Sequence, residues 1–278
     1  MVRVRYSFSS RHTGNIANIK KQRPKFPKLV LEVIKISDII LEVLDARFLE
    51  DTRNLEVEDE IRNAGKKIIY VLNKSDLVDK NKIKRKAEEF GIYPYVLISC
   101  TKRQGSRQLR ERIKIEASRV ETTYDRIQVG IIGYPNTGKS SLINLLTGKT
   151  SAAVGAEAGF TKGMQKIRLT ADIMIIDTPG VIPSDSYSGK EEDIAKHAKV
   201  GARTYDKVKD PEFSVLKLFE KYSKQIESFY KINSDSNVET FLNELGKKRN
   251  FLKKGNEIDM DRTARIVLKD WQLGNIKI

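Results

Sequence analysis

From Ile39 onward, short apolar runs alternate with longer stretches in which charged residues interleave with apolar ones. The runs 39–44, 67–72, 95–98, 127–132 and 173–176 are rich in Val, Ile and Leu and too short for helices. That is the pattern of strands buried on both faces of a parallel sheet. Helices are expected between them at 55–64, 81–90, 106–118 and 139–146. Alternation at this spacing predicts an α/β fold, a doubly wound and mostly parallel sheet, with ligands beyond the carboxyl ends of its strands.

The pattern changes after Gly180. Residues 183–190 are rich in Ser, Pro, Asp and Gly, and no strand-like run follows them. Apolar positions at helical spacing recur over 213–230, 238–249 and 260–271, predicting a small all-α domain. The organisation expected is a basic arm over 1–29, an α/β domain over 30–185 and a helical domain over 186–278.

Composition sharpens this picture. In 278 residues, 52 Lys and Arg stand against 37 Asp and Glu, a formal charge of +15 that favours polyanionic partners. RNA, DNA and an anionic membrane all satisfy charge alone. Cys100 is the only cysteine, which excludes an intrachain disulfide and fits a reducing cytoplasm. The basic start Met1-Val2-Arg3-Val4-Arg5 lacks an apolar signal core, and no apolar run reaches membrane-spanning length. A cytoplasmic protein without membrane attachment is expected.

Three motifs fall at strand ends. Gly133-Tyr134-Pro135-Asn136-Thr137-Gly138-Lys139-Ser140 fits a phosphate-binding loop between a strand and a helix. Its backbone N–H groups, with Thr137, Gly138 and Ser141, would cradle phosphate; Lys139 would reach the β and γ groups and the Ser140 hydroxyl would ligate Mg²⁺. Asp177-Thr178-Pro179-Gly180 would hold Mg²⁺ through water at Asp177 and address the γ-phosphate with the Gly180 N–H. Asn73-Lys74-Ser75-Asp76 supplies a base selector. A carboxylate at Asp76 accepts from guanine N1–H and the exocyclic amine, a pair that adenine does not offer. From average residue usage, all three would coincide at strand ends by chance in about one chain in a hundred thousand. An adenine-using kinase is disfavoured by Asp76.

Ser99-Cys100-Thr101 ends another strand, where a backbone N–H can meet guanine O6, with Cys100 as a packed residue rather than a nucleophile. Thr161 is a candidate switch residue whose hydroxyl would close on Mg²⁺. His12 and His197 have no partners at metal or triad spacing. Phe251 and Trp271 read as core.

The order of these motifs is reversed from that of an ordinary GTPase, with the guanine loops before the phosphate loop. The chain therefore resembles the circularly permuted ribosome-assembly GTPases, from about Leu29 to Asn275. Asp45-Ala46-Arg47 and Thr52-Arg53-Asn54 look like that family's Asp-Ala-Arg segment, and Gly246-Lys247-Lys248-Arg249 and Asp261 to Trp271 like its RNA-binding helical domain. The resemblance implies GTP and GDP as ligands, GTP hydrolysis, and association of a monomer with rRNA and the large-subunit precursor rather than with DNA. It also implies K⁺ at Asn136, because Val181 stands where other GTPases carry a water-orienting glutamine. Lys162 replaces a second threonine often found after the switch threonine. An alternative is a GTP-gated RNA-binding protein in which hydrolysis is incidental.

Overall fold

The computed structural model describes residues 28–148, 165–178 and 191–278. Six strands form one sheet: β1 Ile39–Asp45, β2 Lys67–Asn73, β3 Tyr95–Leu97, β4 Ile127–Gly133, β5 Gln165–Arg168 and β6 Ile173–Asp177. Their order is β3-β2-β1-β4-β6-β5. Every pairing is parallel except β5 against β6. The chain moves outward from β1 in one direction to β3, then returns to the other side of β1 as β4. The crevice between β1 and β4 is thus the point where winding reverses, the place such sheets bind ligands.

Alternation along β1 explains the layering. Ile39, Leu41 and Val43 face a cluster with Leu109, Ile113, Leu142, Ile143 and Leu146, which come from the helices Ser106–Ala117 and Lys139–Thr147. Ile40 faces the other side, against Val30 and Ile34 of the helix Lys28–Ile36 and Val57 and Ile61 of the helix Leu55–Asn63. Leu44 packs there with Leu72, Ile83 and Ala87. Burial on both faces is what the continuous apolar runs require. Two elements are not expected from the apolar pattern, the helix at Lys28–Ile36 and the strand at Gln165–Arg168. Lys28–Ile36 is a short amphipathic helix, charged at Lys28, Glu32 and Lys35, that begins inside the basic stretch, and Gln165–Arg168 is a short polar edge strand.

Residues 191–278 contain four helices among the described residues: Glu191–Val200, Pro211–Tyr230, Val238–Arg249 and Met260–Leu273. The last three begin on Asp210, Asn237 and Asp259, each accepting an N–H from the first turn. Their core centres on Trp271, Phe241, Val215, Leu218 and Val267. It also takes in Phe48 and Tyr134, which lie in the sheet's own loops. The helical domain therefore packs against the rim from which those loops emerge. The expected basic arm up to residue 27, Thr161 with its neighbours, and the 179–190 stretch holding Gly180, Val181 and the boundary near 185 lie outside the described residues, while Lys28 and Leu29, expected in the arm, begin the first helix. Among the described residues, no helix is long and apolar enough to cross a membrane.

Candidate functional site, a nucleotide crevice at the sheet rim

Parallel register aligns the loops. Asp45 pairs with Asn73, Val43 with Gly133 and Leu72 with Leu97, so the chain leaves β1, β2, β3 and β4 at one edge. Asp177 closes β6 on that edge, with Thr178 Oγ1 donating to the Ile131 carbonyl at 2.7 Å.

Asn73 ties three loops together. Its Nδ2 donates to the Thr137 carbonyl of the phosphate loop at 2.8 Å, and its Oδ1 accepts from the Cys100 N–H at 3.3 Å. The approach is so close that a Cβ on Gly138 would lie 2.2 Å from Asn73 Nδ2, and Gly138 also has φ +100°. Only glycine satisfies both demands. The expected guanine loop and phosphate loop are thus brought into direct contact. Ser99 Oγ accepts from the Lys102 N–H at 3.0 Å, shaping the loop that carries Thr101. Burial pushes the Cys100 thiol up to about 12, consistent with a packed residue rather than a nucleophile.

Lys139 begins the helix Lys139–Thr147 and is buried. Its Nζ donates to the carbonyls of Gly133 at 3.1 Å and Tyr134 at 3.0 Å. Burial lowers its pKa to about 8, against an upward pull from Asp177. Asp177 is 1% exposed, and its Oδ1 has no hydrogen-bond partner among the described residues. Burial raises its pKa, and Lys139 pulls the other way. An orphaned carboxylate oxygen beside a buried ammonium, with the half-buried Ser140 nearby in sequence, is a donor set that fits Mg²⁺. Asn136 has φ +60°, and its Nδ2 donates to the Gly201 carbonyl of the helical domain. A K⁺ ligand at Asn136 would therefore be Oδ1.

Lys74 sits at φ +61° with its Nζ 2.7 Å from Asp45 Oδ2. Asp45 is fully buried and also receives Arg47 through Nη2 at 2.8 Å and Nε at 3.0 Å. Burial pushes the Asp45 carboxyl up, but Lys74 and then Arg47 outweigh it and hold the group far below the usual carboxylate range. Arg47 Nη1 continues to the Trp271 carbonyl at 3.0 Å, and Phe48 stacks on Trp271 with ring centroids 5.8 Å apart. The Asp-Ala-Arg segment thus links Lys74 to the helical domain. Sequence alone gave it no such role; an Asp at a strand end with Arg two residues later hints at an ion pair, but nothing in the pattern points to Trp271. His197, buried against the Tyr134 ring at 6.1 Å, packs and has no metal-ligand cluster around it among the described residues.

Beside Asp76 lies a cavity of about 560 Å³ lined by Asn73, Lys74, Thr101, Asn136, Gly138 and Ser141 on the sheet side, and by helical-domain residues opposite. Its volume and its polar groups among apolar ones are those of a small-molecule site.

A family model described as the 50S ribosome-binding GTPase matches residues 128–245. That span holds the phosphate loop and Asp177 but begins after the guanine motif, as permutation requires. The chain is 42% identical over 253 residues to an uncharacterized GTP-binding protein of Methanocaldococcus jannaschii, covering 90% of this chain and 65% of that one. It is 33% identical to the guanine nucleotide-binding protein-like NSN1 of Arabidopsis thaliana, over 94% of this chain and 49% of the relative. It is 30% identical to the nuclear GTP-binding protein NUG1 of Saccharomyces cerevisiae, over 94% and 56%. The chain thus spans from about half to 65% of the length of these curated relatives. The crystal structure of GNP-bound YlqF from T. maritima superposes with a TM-score of 0.63 at 23% identity, covering 90% of this chain and 94% of that one. That likeness extends through sheet and helical domain alike.

Proposed function

We propose that the chain is a circularly permuted GTPase that binds guanine nucleotide, hydrolyses GTP and acts on precursors of the large ribosomal subunit. The observation that carries the reading is the Asn73–Thr137 hydrogen bond, which clamps the base-selecting loop onto the phosphate loop.

In this reading Asp76 accepts from the guanine edge, while Lys74, oriented by Asp45, flanks the ring. Lys139 leaves the Gly133 and Tyr134 carbonyls for the β and γ phosphates, whose charge keeps its buried ammonium protonated. Mg²⁺ would be held by Ser140, by Thr161 and through water by Asp177, and would supply charge neutralisation between the phosphates. Gly180 offers its N–H to the γ-phosphate. K⁺ at Asn136 would stand in for an arginine finger. Val181 cannot orient water, so isolated turnover is slow and is stimulated on the particle.

RNA contact is assigned to the helical domain, where Lys247, Lys248, Arg249, Lys253 and Lys254 are exposed and Arg262 lies 4.3 Å over the Phe251 ring. The arm at 1–29 would add charge. The matched family model, described as a 50S ribosome-binding GTPase, supports the ribosomal setting, and among the relatives one is called nuclear and two nucleolar GTP-binding protein 2. A cytoplasmic or nucleolar site of action follows from where precursors occur. Val181 also favours a second reading, in which GTP shapes an RNA surface and hydrolysis is incidental.

The test is phosphate release with and without ribosomal precursors, beside gradient sedimentation in GTP, GDP and a non-hydrolysable analogue. Co-migration with the precursor only in the GTP or analogue state, with release after hydrolysis, is expected. Identical sedimentation in all three states would defeat nucleotide control. State-dependent binding without phosphate release would favour the second reading.

A further inference from the structure

The cavity beside Asp76 is closed by a wall that the guanine motifs do not supply. Gly201, Tyr205, Gln272 and Leu273, all from the helical domain, face Asn73, Asp76 and Thr101 across it. This wall is braced. Gln272 Nε2 donates to the carbonyls of Ala198 at 2.8 Å and Arg203 at 2.9 Å, and its Oε1 accepts from the Tyr205 N–H at 3.1 Å. One side chain thereby holds the 198–205 turn against the helix Met260–Leu273.

The wall is also seated on the sheet rim by contacts on both flanks of the cavity. On the phosphate side, Asn136 donates to Gly201, and Tyr134 belongs to the helical domain's core. On the base side, Gly274 ends the last helix so close to Leu77 that a Cβ there would come 2.4 Å from Leu77 Cδ1. Leu77 directly follows the selector Asp76. Behind both, Arg47 holds the Trp271 carbonyl and Lys199 pairs with Asp51 at 2.5 Å. A ligand whose base sits on Asp76 and whose phosphates sit on Lys139 lies beneath this wall. With that wall docked, protein lines the nucleoside's place on both sides of the cavity.

We propose that the helical domain forms the outer half of the nucleoside site, so that a guanine nucleotide is retained while this domain is docked and escapes when it lifts. The inference rests on the guanine-nucleotide reading above and adds a control point to it. Docking is held by the contacts just named together with Phe48 and Tyr134 in the helical core, so a ligand that competes for this face of the helical domain would speed exchange without touching the phosphates. Selectivity stays with Asp76, and retention lies with Gln272, Gly274 and Leu77.

The experiment measures dissociation of tritiated GDP from the full chain by filter binding. In Leu77→Cys/Gly274→Cys, oxidation should join the two flanks and slow release at least tenfold, with reduction restoring it. In Gln272→Ala, release should quicken about tenfold while ADP still fails to compete. Failure of the cysteine pair to cross-link, or equal release from oxidised, reduced and Gln272→Ala proteins, overturns the proposal. If the unaltered chain takes up no guanine nucleotide, the underlying reading fails as well, and that result is distinct from binding with unchanged rates.

Discussion

The Asp45–Arg47 pair offers a direct test of whether the helical domain and the sheet rim are one cooperative unit. Asp45 has no exposed side-chain surface and Arg47 has 1%, so removing Asp45 leaves an uncompensated buried charge. Asp45→Asn strands Arg47 and the Lys74 ammonium, an effect of about 3–5 kcal/mol. Arg47→Met is milder for Asp45, which keeps Lys74 at 2.7 Å, but it also forfeits the bond to the Trp271 carbonyl, costing about 1 kcal/mol more. The double variant no longer strands Arg47, leaving only the Lys74 ammonium without its partner, so its loss should fall short of the summed single losses by about 2 kcal/mol. Urea unfolding read by fluorescence of Trp271, the only tryptophan, reports docking, and far-ultraviolet circular dichroism reports global structure. The two transitions should coincide in the unaltered protein. Additive single losses, within about 0.5 kcal/mol, would show that the pair is not coupled. Separate transitions would refute the shared core.

Further expectations follow from neighbouring groups. Asp76→Asn should move preference from guanine toward xanthine nucleotide, since two charge-assisted hydrogen bonds at about 1.5–3 kcal/mol each amount to roughly a hundredfold or more; competition binding with both nucleotides checks it, and retained guanine preference would displace Asp76 as selector. Burial, and then Glu58, raise the Glu42 carboxyl well above its ordinary 4.5. The folded state thus holds a proton the unfolded chain has released, and stability should fall as pH climbs above 4.5, by up to about 1.4 kcal/mol per pH unit. Glu42→Gln should flatten that slope in urea titrations at successive pH values. At the acid end Asp45, held low, contributes stability that is present above 3.8 and lost as pH falls below it, and Asp45→Asn should remove this part. Chelating Mg²⁺ should abolish phosphate release, and replacing K⁺ by Na⁺ should slow it at least tenfold; unchanged rates in Na⁺ would remove K⁺ from the account.

Much of this was legible because each motif is local. The phosphate loop, Asn73 to Asp76 and the loop at Asp177 announce themselves over a few residues, and apolar runs place them at strand ends. Parallel register then does the rest, since strands buried on both faces can pair in few ways. The helix Lys28–Ile36 was not legible, because it is short and begins inside the basic stretch read as an arm, although Lys28, Glu32 and Lys35 mark a polar face opposite Val30, Val33 and Ile34. Nor was the inner role of Asn73, whose amide serves the protein's own loops at Thr137 and Cys100. The helical wall was least accessible of all. Asn136 and Gly201 are 65 residues apart and Arg47 and Trp271 are 224 apart, joined through main-chain carbonyls that carry no side-chain signature.

The central claim is that loops scrambled in chain order build one guanine-nucleotide site. Calorimetric titration of the purified full chain with GDP, GTP, ADP and ATP in the presence of Mg²⁺ and K⁺ tests it most directly. One site per chain, with guanine nucleotides bound at least a hundredfold more tightly than adenine nucleotides, is the predicted result; equal affinities, or no binding of either guanine nucleotide, would contradict it.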